Sequence, residues 1–379
     1  MNKVSIGFTG DFCPWARMET AWKDGSWKEK LGDVLPFFEQ NDFNVIDLEC
    51  PLTTSNKVIP KTGPHIKSLP ETATMLNYLN CAVVATANNH FKDYDWEGMQ
   101  ESYQALKDHR ISWLGSGANL EKASAILMKE CMGLKIALIN MAESEWSTTD
   151  GEQAGCNPIN FPGALLKIQE AKANEADSII IILHGGHEHN PLPSPRMKAQ
   201  FRFMIDAGAD AVVGHHTHIV SGYEVYRGKP IFYSLGNFCF DWPGLRNGTW
   251  NRGMILRFII SEDRSIAFEY EFVLQNDAEV GVQFMKEPEK IRMEAEVQRL
   301  SGIISDDHSL AGYFEAYCAK LNPVMLSRIQ PYRNKYLLAL HKRGYLPDLM
   351  GKTKQQMLQI LVQCESHREV LLAALKKKD

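Results

Sequence analysis

Histidines 215, 216 and 218 fall within four positions, directly after an apolar run that ends at Gly214. Neutral imidazole is the commonest side-chain ligand for a borderline transition metal. His216 and His218 stand two apart where a strand gives way to a loop, so both can turn inward only if the loop abandons strand alternation. A His-rich surface turn is the plain alternative for this stretch taken alone. Other groups of the same chemistry recur along the chain: Asp11, Glu49, Asn89 and His184, each at the end of a β-like run. Carboxylate, amide oxygen and imidazole are what a hard-to-borderline divalent ion takes, and a two-ion site needs a bridging carboxylate. Singly, each of these residues has an ordinary use as a cap, a turn residue or a hydrogen-bonded histidine. Their placement at successive strand ends is what argues for a shared site. His90, next to Asn89, could donate a proton to a leaving group.

The elements that would carry these groups follow from periodicity. Val4, Ile6 and Phe8 alternate into Gly10-Asp11, 43–48 is a second strand delivering Glu49, and 82–87 a third delivering Asn89. The spacing Ser26-x-x-Glu29 is that of a capping box and predicts a helix to Gln40. Helices are expected through 72–79, 96–109, 162–173 and from the Ser194-Pro195 start to Ala207. Strands are expected at 111–114 and 178–183, with hairpins over 123–142, 219–234 and 253–274. The polar loop 143–161 is long enough to be a functional lid or wall. Strands alternating with helices argue for α/β architecture with parallel pairing, whose ligand groups sit at the carboxyl ends of the strands. Beyond about Glu279 the pattern turns helical, over 286–300, 311–320, 326–342 and 354–376, with Thr353-x-x-Gln356 as a cap. The expected organisation is therefore 1–279 as an α/β domain and 280–379 as a helical C-terminal region.

With 44% hydrophobic and 23% charged residues, the 379-residue chain reads as an ordinary soluble globular protein. The net charge of −5 argues against nucleic-acid binding driven by bulk charge. Eight scattered cysteines without a CxxC pair fit reduced thiols, and no run reaches a membrane span or a signal-peptide pattern. The expected setting is cytoplasmic.

The motifs Gly10-Asp11, Leu48-Glu49-Cys50-Pro51, Ala87-Asn88-Asn89-His90, His184-Gly-Gly-His-Glu188, Gly214-His-His-Thr-His218 and Phe232-Tyr-Ser-Leu-Gly-Asn-Phe238 occur in one order. In that order and spacing, over roughly 3–275, the chain resembles the CapA family of poly-γ-glutamate capsule biosynthesis proteins, within the calcineurin-like metallophosphoesterase superfamily. The resemblance implies a four-layer α/β/β/α sandwich followed by a helical appendix. It implies Asp11, Glu49, Asn89, His184, His216 and His218 as ligands for one or two divalent ions (Mn, Zn, Fe or Mg), with Glu49 bridging. It implies His90, Asp11 and Glu188 as the catalytic set, Glu188 holding His184 in place, and Asn237 lining the site. Two departures stand out. The usual Asp-x-His opening is Asp11-Phe12-Cys13, so Cys13 is either a thiolate ligand or a buried inert thiol. The usual His-Trp-Gly is His184-Gly185-Gly186, where Gly185 leaves the space of an aromatic wall.

Lys61, His65 and Lys67, with Lys57, cluster in the loop after Glu49 and could receive an anionic small-molecule or polymer substrate. The expected activity is that of a metal-dependent hydrolase acting on a phosphoester or amide in capsule or cell-surface polymer synthesis, alongside capsule-synthesis partner proteins. A general phosphomonoesterase or phosphodiesterase, and a non-catalytic subunit docking through 280–379, are the alternatives.

Overall fold

The computed structural model describes residues 3–332 and 334–376. Chain order begins with β1 (Lys3–Cys13), α1 (Arg17–Asp24), α2 (Trp27–Gly32), α3 (Leu35–Glu39), β2 (Phe43–Leu48), α4 (Ala73–Tyr78), β3 (Cys81–Ala85), α5 (Asp95–Asp108) and β4 (Ser112–Leu114). It continues with β5 (Ser116–Gly117), α6 (Leu120–Ala123), β6 (Leu127–Cys131), β7 (Leu134–Ala142), β8 (Gly155–Cys156), α7 (Phe161–Ala173), β9 (Ser178–His184), α8 (Pro195–Ala207) and β10 (Ala211–His215). Then come β11 (Tyr223–Tyr226), β12 (Lys229–Phe232), β13 (Asn237–Phe240), β14 (Arg252–Ser261), β15 (Ile266–Gln275), β16 (Val282–Phe284) and α9 (Glu289–Ser305).

Two sheets face each other. One has eight strands, ordered β16-β15-β14-β1-β2-β3-β4, with β13 also on β1; the other has six, ordered β11-β12-β10-β9-β7-β6. The inner strands β1, β2, β3 and β4 run parallel, as do β7, β9 and β10. Val4, Ile6, Phe8, Phe43 and Val45 from the first sheet meet Ile136, Leu138, Ile180, Ile182, Ala211 and Val213 from the second. The opposite face of the first sheet (Ile46, Leu48, Val84) packs on Leu31, Phe38, Leu76 and Leu106 of the helices that follow its strands. On the far side of the second sheet, Ile168 of α7 and Phe201 and Met204 of α8 are fully buried. The result is the expected four-layer α/β/β/α sandwich. Ser194 caps α8 through a 3.1 Å bond accepted from the Met197 amide.

Several local expectations are corrected. The capping box at Ser26 does not form, and the single helix expected up to Gln40 is two short ones, interrupted near Pro36, after an unexpected α1. Ile219–Gly222 stays outside the strands, so β11 starts only at Tyr223.

The chain divides into two compact units, Met1–Leu310 and Ala311–Asp379, rather than at 279/280. The physical reason is α9: its Met293 and Val297 are buried in the core between the sheets, so this first piece of the helical region belongs to the sandwich. The second unit holds most of α10 (Asp307–Arg328), with α11 (Lys335–Lys342), α12 (Gly351–Gln363) and α13 (Glu365–Lys376). Pro331 stops the helix expected over 326–342, and Thr353 lies inside α12 rather than capping it. Within this unit Gln330 donates to Asp348 at 2.7 Å and the Tyr332 hydroxyl to the Pro347 carbonyl at 2.7 Å. Among the described residues no helix is long and apolar enough to cross a membrane.

One close approach fixes the first strand end. A Cβ at Gly10 would sit 2.1 Å from the carbonyl oxygen of Gly236, and the same carbonyl accepts the Asp11 amide at 2.9 Å. The β1 ladder shifts register here, which turns Phe12 to the helix-covered face while Phe8 points between the sheets. Gly10→Ala should therefore displace Asp11 as well as strain the core. The expected cost is about 1–3 kcal/mol in chemical denaturation, together with weakened divalent-ion uptake by calorimetry.

Candidate metal centre

Strand alternation builds the base of the site. On β2, Phe43 and Val45 face the opposite sheet, so Asp47 does too; on β9, Ile180 and Ile182 put His184 there; on β10, Ala211 and Val213 do the same for His215. The apolar core between the sheets thus ends, at the carboxyl ends of the parallel strands, in a polar rung. Within it His184 Nδ1 lies 3.2 Å from Asp47, and His215 Nδ1 3.1 Å from Asp11. Asn140, on the same face of β7, accepts from the Ala87 amide at 2.6 Å and donates to the Ile182 carbonyl at 3.2 Å. It fastens the turn carrying Asn89 to the second sheet.

The loops after the strands add the remaining groups. His216 and His218 both adopt positive φ, 93° and 58°. This is the departure from alternation that lets two histidines two apart point into one cavity, a strained backbone of the kind found at functional sites. His218 Nδ1 lies 3.1 Å from Asp11 and 3.0 Å from Asn237 Oδ1. His184 Nε2 lies 3.1 Å from Asn89 Oδ1 and 3.2 Å from His216 Nδ1. Glu49 Oε1 lies 3.7 Å from the Nε2 atoms of both His184 and His218. Asp11, Glu49, Asn89, His184, His216 and His218 are thereby brought together.

Among the described residues there are three groups whose possible ligand atoms all lie within 4.8 Å of one another: Glu49, His184 and His216; Asp11, Glu49 and His218; and Asp11, Asp47 and His215. The first two share Glu49. A divalent ion fits them on chemical grounds. Both Glu49 oxygens are buried without a hydrogen-bond partner among the described residues. Around His184 Nε2 the neighbours are an amide oxygen, an imidazole nitrogen and a carboxylate, lone-pair donors that one proton cannot satisfy. Burial, then the charges of Asp11 and Asp47, push the Glu49 carboxyl far above the usual carboxylate range. Burial lifts Asp47 to about 8 and drives His184 down to about 3. Burial also opposes ionisation of Asp11, but hydrogen bonds from His215 and His218 outweigh it and hold its carboxyl far below the usual range. Such a packing of buried carboxylates beside His184 and His216, both of which burial keeps neutral, is what a cation stabilises.

Beside it stands a second cluster. His90 Nδ1 is 2.8 Å from Asp93 Oδ2, which also accepts the Ile66 amide at 2.9 Å. Lys61 pairs with the other Asp93 oxygen, Oδ1, and its Nζ lies 3.2 Å from His90 Nδ1.

Some expected roles land elsewhere. Lys61 is not at the surface: its side chain is 2% exposed. Lys67 donates to the Thr54 and Ser55 carbonyls and lies over the Tyr94 ring, and His65 Nε2 bonds the Ile59 carbonyl at 2.7 Å. Both are half-buried and engaged with backbone carbonyls of their own loop. Asn237 steadies His218 from a fully buried position. Glu188 is exposed, and the carboxylate that reaches His184 Nδ1 is Asp47. Cys13 is fully buried, its thiol pushed well up by burial and by Cys50, and it joins none of the ion-holding groups among the described residues. The space left by Gly185 is filled by Glu143, whose Cγ would lie 2.5 Å from an added Cβ. From the 143–161 loop Glu145 reaches within 3.7 Å of His216 Nε2.

Asp47, Asp93 and Asn140 were not singled out from sequence, and His215, noted there beside His216 and His218, was given no role in the site. A signal existed for each. Asp47, His215 and Asn140 continue the two-residue period of an apolar strand by one step, and Asp93 stands three after His90.

A family model described as bacterial capsule synthesis protein PGA_cap matches residues 5–242. The capsule biosynthesis protein CapA of Bacillus anthracis is 31% identical over 217 residues, 55% of this chain and 53% of that protein. The PGA biosynthesis protein CapA of Bacillus subtilis is 30% identical over 242 residues, 63% of each. The chain thus spans between about half and just under two thirds of the length of these relatives. Among solved structures, a 5'-nucleotidase precursor from Thermus thermophilus aligns over 87% of this chain and 60% of its own, with 11% identity and a TM-score of 0.42.

Proposed function

The chain belongs to the family of bacterial capsule synthesis proteins, PGA_cap, and on that premise we propose that it is a metal-dependent hydrolase working in capsule or cell-surface polymer synthesis. The observation that carries the reading is Glu49, a buried carboxylate with both oxygens unpartnered, set between His184 and His218. Asp11, Glu49 and His218 would hold one divalent ion, and Glu49, Asn89, His184 and His216 a second. Such an ion, when bound, supplies Lewis acidity, withdrawing charge from a scissile phosphoryl or carbonyl oxygen and from an attacking water.

The chain's own groups do the rest. Asp47 and His215 keep His184 and Asp11 in orientation, as partners behind metal ligands commonly do. Asp93 holds His90 Nδ1, which leaves Nε2 to carry a proton to the leaving group. The reactive centre is a phosphoester or an amide of a polymer precursor, and capsule-synthesis proteins are the expected partners.

The test is metal analysis of protein purified without chelator, joined to a turnover screen on phosphomonoesters, phosphodiesters and γ-glutamyl amides with added Mn²⁺. Chelation should abolish turnover and Mn²⁺ should restore it. A protein that takes up none of Mn, Zn, Fe or Mg would end the proposal.

A further inference from the structure

The hydrolase chemistry uses His90 but leaves a buried lysine beside it unexplained. Lys61 comes from the loop after β2, far from His90 in sequence, yet its side chain is 2% exposed and its partner Asp93 is fully buried. A lysine is almost never so enclosed unless its charge is paired. Asp93 is held from three directions: Lys61 on Oδ1, and His90 Nδ1 at 2.8 Å with the Ile66 amide at 2.9 Å on Oδ2. Two of these three donors come from the 51–67 loop, and the third is the imidazole itself. Remove Lys61 and Oδ1 becomes a buried acceptor without a partner, so the carboxylate is free to rotate. The lysine ammonium also lies 3.2 Å from His90 Nδ1. The ionised Asp93 can only accept, so with its Oδ2 at 2.8 Å the ring proton sits on Nδ1, while the ammonium, which has protons to give and no lone pair, donates to Oδ1.

We propose that Lys61 is a positioning residue: its ammonium locks the Asp93 carboxylate, and the locked carboxylate holds the His90 imidazole in one orientation and one tautomer. The proposal rests on His90 acting as the proton donor. It replaces the sequence expectation that Lys61 meets substrate, and the two roles make opposite forecasts.

The test is a double-mutant cycle of Lys61→Met and Asp93→Asn in the full chain, with metal content, kcat and KM measured for each. Lys61→Met should leave metal content unchanged and lower kcat about tenfold to a hundredfold, the scale of a small misplacement of a catalytic group. KM should change by no more than about twofold. In the Asp93→Asn background the same change should cost less than about twofold, because Lys61 acts only through Asp93. An equal loss of kcat in both backgrounds, or an effect confined to KM, would place Lys61 on the substrate and overturn the proposal.

Where Lys61→Met alone does not fold, the double variant, which leaves no lone buried charge, is compared with Asp93→Asn; a further drop in kcat overturns it. A second readout needs no turnover. The imidazole Nδ1–H resonance of His90, assigned by its loss in His90→Gln, should move or broaden in Lys61→Met. An unchanged resonance rejects the positioning role even if no substrate is ever found, whereas absent turnover with a shifted resonance rejects only the hydrolase reading.

Discussion

Glu49→Gln should empty the ion site and extinguish turnover together, while leaving the metal-free protein as stable as before or more so. The carboxylate is common to both ligand groups around His184 and His218, so no other single change removes a donor from each. Glutamine keeps the shape but brings an NH₂ that must find an acceptor where the structure offers neutral imidazole nitrogens and other carboxylates. The affinity loss should exceed about 100-fold, the upper range for losing even an outer partner of a ligand. The opposite sign in the metal-free state follows from charge. Glu49 is buried beside Asp11 and Asp47, and burial and their repulsion already disfavour its ionised form. Neutralising it relieves a cost that only a cation otherwise offsets. Metal per chain by elemental analysis and melting curves with and without Mn²⁺ read both signs. A variant that lost the metal-free fold instead would assign Glu49 a structural role.

His90→Gln should behave differently: metal retained, substrate bound, and turnover lowered by about 10²–10⁴, the usual contribution of a positioned proton donor. The loss should depend on the leaving group. A nitrophenolate leaves with little help, whereas an alkoxide or amine must be protonated as it departs. The ratio of wild-type to variant kcat should therefore be small for the first and large for the second. Equal losses on both would mean that His90 moves no proton to the leaving group. The same comparison in Asp93→Asn should show the same trend with a smaller amplitude.

Much of this arrangement is legible in the sequence, and the reason is periodicity. Val4, Ile6 and Phe8, or Ile180 and Ile182, announce strands whose inner faces are apolar and whose carboxyl ends carry the chemistry. What escapes lies just inside or just beyond those patterns. Asp47 sits inside its strand, whereas the pattern draws the eye to Glu49 just beyond it, and His215 stands beside the His216 and His218 pair that took the ligand roles. Asn140 looks like the tail of a hairpin. Loops are harder still. Lys61, His65 and Lys67 share a stretch with no period, so nothing local says that one ammonium turns into the interior while another settles on carbonyl oxygens. The Ser26 capping box fails because Ser26 itself takes a helical conformation and the chain breaks again near Pro36. The boundary expected at 279 is misplaced for a related reason. α9 has the helical pattern of the tail, but two of its apolar side chains complete the sandwich.

The polar rung that closes the space between the sheets has a wider consequence. Val45, Ile182 and Val213 lie one step beneath Asp47, His184 and His215 on the same strands. A methyl group added or lost there would shift the side chain above it, so the packing of the sandwich and the geometry of the proposed ion site would depend on the same positions.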